Sequence, residues 1–375
     1  MKIKIVFALF LLLVIIFPTV YCSQIEENIN EELNTEEIVY KMKELVGENI
    51  DIGEIKEDLI EGKGINYGVV GDYIYNILFS EIKEGIKSCI QIFIILLLIA
   101  IILSLKLDDT SSVITVATLT GFILIVGIII KNYATILKLF LNTVDSLTSV
   151  INIIAPFTLA MLIATSEVLT SSIISPVILF VTGLIGTIIS YIVLPVITLS
   201  LLFNIVSNIS DRVKLERFSK LLNNTAMWVL AVIFAVFLGI LELESSISTS
   251  VDKVTLKATE TAVSNVIPVV GKFVSDSLEI VMGSTEIIGK TIGTLGIICI
   301  VIVALVPVTK LVIYILLYSI TCSLSEMLNM DSKITKLIEG MKDIYKTMAG
   351  IMIGVAVTFI ISLAIIINLI GKVYS

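Results

Sequence analysis

Apolar residues in this chain come in long blocks, not at scattered intervals. Cys89–Leu105, Val113–Ile130, Ile173–Ser190, Ile192–Ile209, Thr225–Leu241, Thr291–Val306 and Met348–Ile370 are nearly free of charge. Each is close to the ~20 residues that a helix needs to cross a hydrocarbon core of roughly 30 Å. Lys310–Leu324 reads as a further span. Ile151–Ile163 and Ala262–Met282 are shorter or interrupted. They either cross or re-enter from one side, and re-entry is tolerated only where protein or a cavity covers the backbone. The pattern predicts an all-α, polytopic helical membrane protein with about seven to nine spans, re-entrant segments being open.

The first residues follow a different plan. Lys2 and Lys4 precede an apolar run from Ile5 to Phe17, and Pro18–Cys22 follows before the chain turns acidic. This is the layout of a secretory signal peptide over residues 1–22, with Val20 and Cys22 suited to a cleavage site and Ser23 as the mature start. An uncleaved anchor and a lipid-modified Cys22 are the alternatives. Residues 23–88 then form an acidic segment expected outside the cytoplasm. Asn34 or Thr35 caps a helix opened by Glu36 and Glu37, with Ile38, Met42 and Leu45 on one face and Gly47 ending it. A second short helix is expected over 53–62. From Tyr67, Val70, Ile74, Ile77, Leu78, Ile82 and Ile86 form one stripe, so this helix is expected to run on into the first span. The segment either caps the membrane domain or offers a docking surface to another protein.

Charge sharpens this division. Residues 23–88 hold 16 acidic and 6 basic residues, a net of −10, whereas everything after residue 88 holds 17 of each. The acidity belongs to one segment and argues against a nucleic-acid partner. Asp211–Lys220 contains four basic residues, among them Arg212 and Arg217, the two arginines of the chain. Basic loops stay inside, so this loop is expected in the cytoplasm. Residues 242–290, with seven acids and four lysines, are expected outside; 325–346 has four of each sign and is undecided.

The chemistry available is narrow. The chain has no histidine and four cysteines, Cys22, Cys89, Cys299 and Cys322, none in a CxxC or metal-ligand spacing. The commonest general base and the His-ligated metal sites are thereby excluded. No Walker loop or GxGxxG motif is present, which disfavours an ATP-driven pump, and no cofactor is expected.

Shifting the sequence on itself by 112 residues sets Pro156 on Pro268, Pro195 on Pro307, Gly127 on Gly239 and Glu167 on Glu279. This suggests a repeat of 113–215 over 225–327 within a membrane domain spanning 89–375. Matching broken helices are a habit of transporters; chance alignment of apolar sequence is the competing reading. Pro156, Pro195, Pro268 and Pro307 lack an N–H donor, so they shape or gate helices. Lys272, Asp276 and Glu279 share a helical face. Asp276 and Glu279 join the prolines as structural or gating candidates, because ionisable groups near membrane depth are functional by default.

Val251–Glu279, reading VDKVTLKATETAVSNVIPVVGKFVSDSLE, resembles the distinctive segment of the stage III sporulation protein AE family of endospore-forming bacteria. Leu78–Lys87, Pro176–Phe180 and Leu194–Asp211 extend the resemblance in the same order. Lys272 and Glu167 stand where that family has small residues. The resemblance implies a non-enzymatic, permease-like or export-platform subunit of a secretion-like complex. That complex connects mother cell and forespore across two membranes and is needed for endospore development. It implies as partners the lipid bilayer, other stage III sporulation A-operon proteins and a forespore membrane protein. The implied location is the mother-cell membrane around the forespore, multi-pass, with the mature N-terminus extracytoplasmic. A stand-alone secondary transporter for a small solute or ion is the alternative that the repeat favours.

Overall fold

The computed structural model describes residues 35–46, 52–60, 67–104, 111–164, 181–209, 215–237, 239 and 270–372. All of the regular structure among them is helical. Two short helices, α1 (Thr35–Val46) and α2 (Ile52–Ile60), precede six long ones. These are α3 (Tyr67–Ser104), α4 (Ser111–Ala164), α5 (Val181–Ile209), α6 (Glu216–Phe237), α7 (Val270–Met327) and α8 (Ser332–Lys372). Each of the six contains a stretch long and apolar enough to cross a membrane.

Several expected spans merge. α3 is one helix from Tyr67 through the first span, as the stripe implies. Ile151–Ile163 is no separate or re-entrant element but the continuation of α4, a 54-residue helix with Pro156 inside it. From residue 181 onward Ile173–Ser190 and Ile192–Ile209 form the single helix α5, and residues 173–180 lie outside the described ones. Thr291–Val306 and Lys310–Leu324 likewise join within α7, which holds Pro307 in its interior. From Val270 onward Ala262–Met282 also belongs to α7, and its first residues lie outside the described ones. Among the described residues six helices are therefore long and apolar enough to cross a membrane. Residues 1–34, including the expected signal peptide, are also outside the described set.

Pro195 explains the one irregular helical stretch among the described residues. A proline cannot donate to the carbonyl four residues back and crowds it. In α5 the turn before it widens to a π-helix over Ile189–Val193, where the Leu194 N–H bonds to the Ile189 carbonyl. The wider turn relieves the crowding and keeps the helix continuous.

α7 and α8 form the central hairpin. In each, 72% of the apolar window is buried, against 17–22% in α3, α4 and α6. The turn between them is built locally. Asn329 takes φ 51°, a left-handed conformation that asparagine tolerates. The Met330 N–H bonds to the Ser325 carbonyl and the Asn329 N–H to the Glu326 carbonyl, closing α7 with a Schellman motif. Asp331 then caps α8 by accepting from the Lys333 N–H at 3.0 Å. Tyr314 packs on Tyr345 and Gly296 on Leu363, so the pair is antiparallel. Gly296 also lets α4 approach closely, since a Cβ there would strike Ile154 and Leu363.

Further contacts fix the directions of the rest. Ser88 meets Asn132 and Gly121 meets Ile99, while Tyr133 meets Thr198 and Gly186 meets Thr148. These make α4 antiparallel to α3 and α5. The α3–α4, α5–α6 and α7–α8 junctions therefore share one end of the bundle. Helices α1 and α2 sit toward the other, their apolar faces (Met42, Val46, Ile52, Ile55 and Leu59) buried in the common core and packed chiefly on α7.

Candidate functional site

Two polar clusters lie inside this apolar bundle. The first begins at Lys310, one turn after Pro307 on α7. Its ammonium stands 2.8 Å from Glu81 and 3.2 Å from Glu84, both on α3. The Lys310 side chain is only 8% exposed, and a charge so placed is sustained only by a partner. A turn further along α3, the Ser88 hydroxyl donates to Asn132 Oδ1 at 3.2 Å, and Asn132 Nδ2 donates to the Tyr318 oxygen at 3.3 Å. Tyr318 meets Tyr345 edge to face at 5.4 Å, and Tyr314 does so at 5.7 Å. The Cys89 sulfur and the Thr321 hydroxyl are 3.0 Å apart. Tyr345 is wholly buried among these groups. This seam ties α3, α4, α7 and α8 together. Interhelical hydrogen bonds of this kind supply association that lipid-facing apolar surface does not.

The second cluster joins α5, α6 and α8 near the end with the short junctions. Ser200 and Ser219 each donate to the other's carbonyl at 2.8 Å. Asn204 donates to the Leu337 carbonyl at 3.1 Å and accepts from Asn208 at 3.1 Å. Asn223 donates to the Asp343 carbonyl at 3.3 Å. Here α8 presents Gly340, and the Asn204 side chain fills the space where a Cβ would be. Glu216, with Lys220 at 2.7 Å and Lys336 at 4.0 Å, borders the mouth. The enclosed space is about 30 Å³, room for about one water.

The residues singled out by sequence are dispersed. Pro156 is exposed on α4 just past Ile154, which packs at Gly296; Pro195 is exposed on α5; Pro307 is buried. Gly296 and Pro307 are 11 residues apart along α7, about 16 Å by helical rise, so Pro156 and Pro307 sit at different heights. Pro268 and Glu167 lie outside the described residues. Asp276 and Glu279 lie in α7, with their side-chain surroundings outside the described set. Among the described residues no three His, Cys, Asp or Glu groups gather as a metal site. Sequence reading passed over Lys310, Glu81, Glu84, Asn132 and Tyr345. Lys310 alone carried a usable mark, being the one charged residue between Thr291 and Ser325.

A bundle of six apolar helices, stitched by buried polar contacts and wrapped in exposed Ile, Leu and Val, defines a multi-span α-helical membrane protein. The family described as stage III sporulation protein AE matches residues 50–369, and the chain belongs to that family. It is 26% identical to the "Stage III sporulation protein AE" of Bacillus subtilis (strain 168) over 297 residues, 79% of this chain and 74% of the relative. No solved structure matches it. It is a sporulation-related membrane protein.

Proposed function

We propose that this chain is a non-enzymatic, polytopic subunit of the secretion-like channel complex that joins the mother cell to the forespore during endospore development. Family membership across residues 50–369 carries this reading. It brings with it, as partners, other stage III sporulation A-operon proteins and a forespore membrane protein. The subunit would lie in the mother-cell membrane surrounding the forespore. Its orientation follows from Arg212, Lys214, Arg217 and Lys220 at the α5–α6 junction, since short basic loops remain cytoplasmic. The α3–α4 and α7–α8 junctions then face the mother-cell cytoplasm, and α1 and α2 face the space between the membranes. No chemical step is assigned to it: the polar clusters are spent on holding helices together. Deletion in the native spore-former is expected to abolish late forespore gene expression and reduce spore yield, with both restored by the wild-type gene. Normal yield and expression after deletion reject the proposal.

A second reading, a stand-alone secondary transporter, draws on the buried Lys310–Glu81 pair within the apolar helices. Solute uptake by the purified protein alone in liposomes favours that reading.

A further inference from the structure

Positive charge gathers on the outer face of α3 and α4. The Ser88–Asn132 bond sets Lys87 and Lys131, the preceding residue on each helix, at one level. Because the two helices are antiparallel, Lys83, one turn before Lys87, and Lys138, two turns after Lys131, share the next level away from the junctions. All four lysines are exposed, and none forms an ion pair among the described residues. The carboxylates on this stretch of α3, Glu81 and Glu84, already stand beside Lys310. The next acid along α4 is Asp145, two turns past Lys138.

The surroundings of these lysines suit a polypeptide better than a lipid. Between Lys131 and Pro156, α4 exposes no large apolar side chain and presents Thr135, Lys138, Asn142, Asp145 and Asn152. This polar strip is about 37 Å long by helical rise, whereas the headgroup layer of one leaflet is only about 5–8 Å thick. On α3, Tyr75 and Phe79 stack with ring centroids 6.4 Å apart and remain 64% and 65% exposed. They stand one and two turns before Lys83, on the stripe that Lys83 and Lys87 continue. An aromatic pair of this kind anchors a protein interface, and the charge around it sets partner choice. The sign here is local: the chain as a whole carries a net charge of −8, so its remote field repels an acidic partner and only this face attracts one.

We propose that this face docks an acidic segment of another polypeptide. The segment lies along the two helices, its carboxylates between Lys83 and Lys87 on one side and Lys131 and Lys138 on the other. One apolar side chain of the segment rests on the Tyr75–Phe79 pair. Each exposed lysine–carboxylate contact contributes up to about fivefold in affinity. Together they hold the segment at low salt and weaken as salt screens them.

The test uses the full chain purified in an uncharged detergent and a fluorescein-labelled peptide of repeated Glu-Glu-Leu-Ala, with binding read by anisotropy at low and high salt. Wild type is expected to bind the peptide at low salt, against its own net charge, and to release it at high salt. Lys87→Gln and Lys131→Gln are each expected to weaken binding up to about fivefold, and Lys131→Glu to weaken it further. Phe79→Ala is expected to weaken binding with the salt dependence unchanged. Lys336→Glu, on a different flank of the bundle, is expected to leave binding unaltered. Unchanged melting temperatures establish that the variants are folded. No binding by wild type, or equal effects of Lys131→Glu and Lys336→Glu, overturns the proposal. So does a native mass spectrum in which phosphatidylglycerol retained by wild type is lost from Lys131→Glu, which assigns the lysines to lipid headgroups. Efficient cross-linking of two copies through Thr135→Cys in native membranes also overturns it, by assigning the face to a second copy of the chain.

Discussion

Replacing Gly340 with alanine tests the packing of α5 against α8 with a single methyl group. On helix propensity alone, Gly→Ala in a helix interior stabilises by about 1 kcal/mol. The surroundings reverse that sign. A Cβ at position 340 would lie 2.5 Å from both Cγ and Nδ2 of Asn204, well inside van der Waals contact. Asn204 is 3% exposed and held at both ends, donating to the Leu337 carbonyl and accepting from Asn208. Moving it breaks two interhelical or intrahelical bonds, each worth about 0.6 kcal/mol in a membrane protein. Forcing an extra methyl into a packed contact costs a further 1–3 kcal/mol, roughly. The net expectation for Gly340→Ala is a loss of about 1–3 kcal/mol. In an Asn204→Ala background the obstruction is gone, and the same substitution is expected to be neutral or to stabilise by up to about 1 kcal/mol. The difference is a coupling energy of about 1–4 kcal/mol, read from a double-mutant cycle of unfolding in mixed micelles. Equal effects of Gly340→Ala in the two backgrounds refute the packing described here.

Two further outcomes follow from other parts of the bundle. Lys310→Met strands the Glu81 carboxylate, which is 15% exposed, and is expected to lower stability by about 2–3 kcal/mol, somewhat below the cost of breaking a fully buried pair. Lys310→Met with Glu81→Gln is expected to recover most of this, and thermal unfolding in detergent that fails to separate single from double variant contradicts a pairing role. In a cysteine-free background, Asp109→Cys, Asp211→Cys and Asp331→Cys are expected to react with an impermeant thiol reagent only from the cytoplasmic side, and Glu44→Cys only from the other; labelling of Asp331→Cys from the same side as Glu44→Cys is incompatible with six crossings.

Much of the local structure was legible in the sequence. The helix over Thr35–Val46, with Glu36 and Glu37 in its first turn, and the run-through from Tyr67 into the first span both occur as the residue pattern implies. The grouping of spans was harder to read. A run of apolar residues reports how a segment partitions into lipid, not where its helix stops. Tyr191, Asn132 and Lys310 do not end anything, because a polar group aimed at a neighbouring helix or at the bilayer surface leaves the backbone hydrogen bonds of its own helix intact. The same reasoning explains the clusters. Lys310 and Glu84 are 226 residues apart, and Asn132 and Tyr318 are 186 apart. No periodicity within one helix carries such a pairing; it exists only once the helices are assembled. The prolines were legible as helix irregularities, yet among the described residues only Pro195 deforms its helix to a π turn, and Pro156 and Pro307 sit at different heights.

The length of α4 has a mechanical consequence. No proline interrupts it between Ser111 and Ala155, a distance of about 67 Å at helical rise, more than twice the thickness of a bilayer core. A force applied where this rod stands clear of lipid is delivered to the opposite leaflet without a joint to absorb it. The contact of Gly121 with Ile99 near one end and that of Ile154 with Gly296 near the other are thereby held at a spacing that this one element sets.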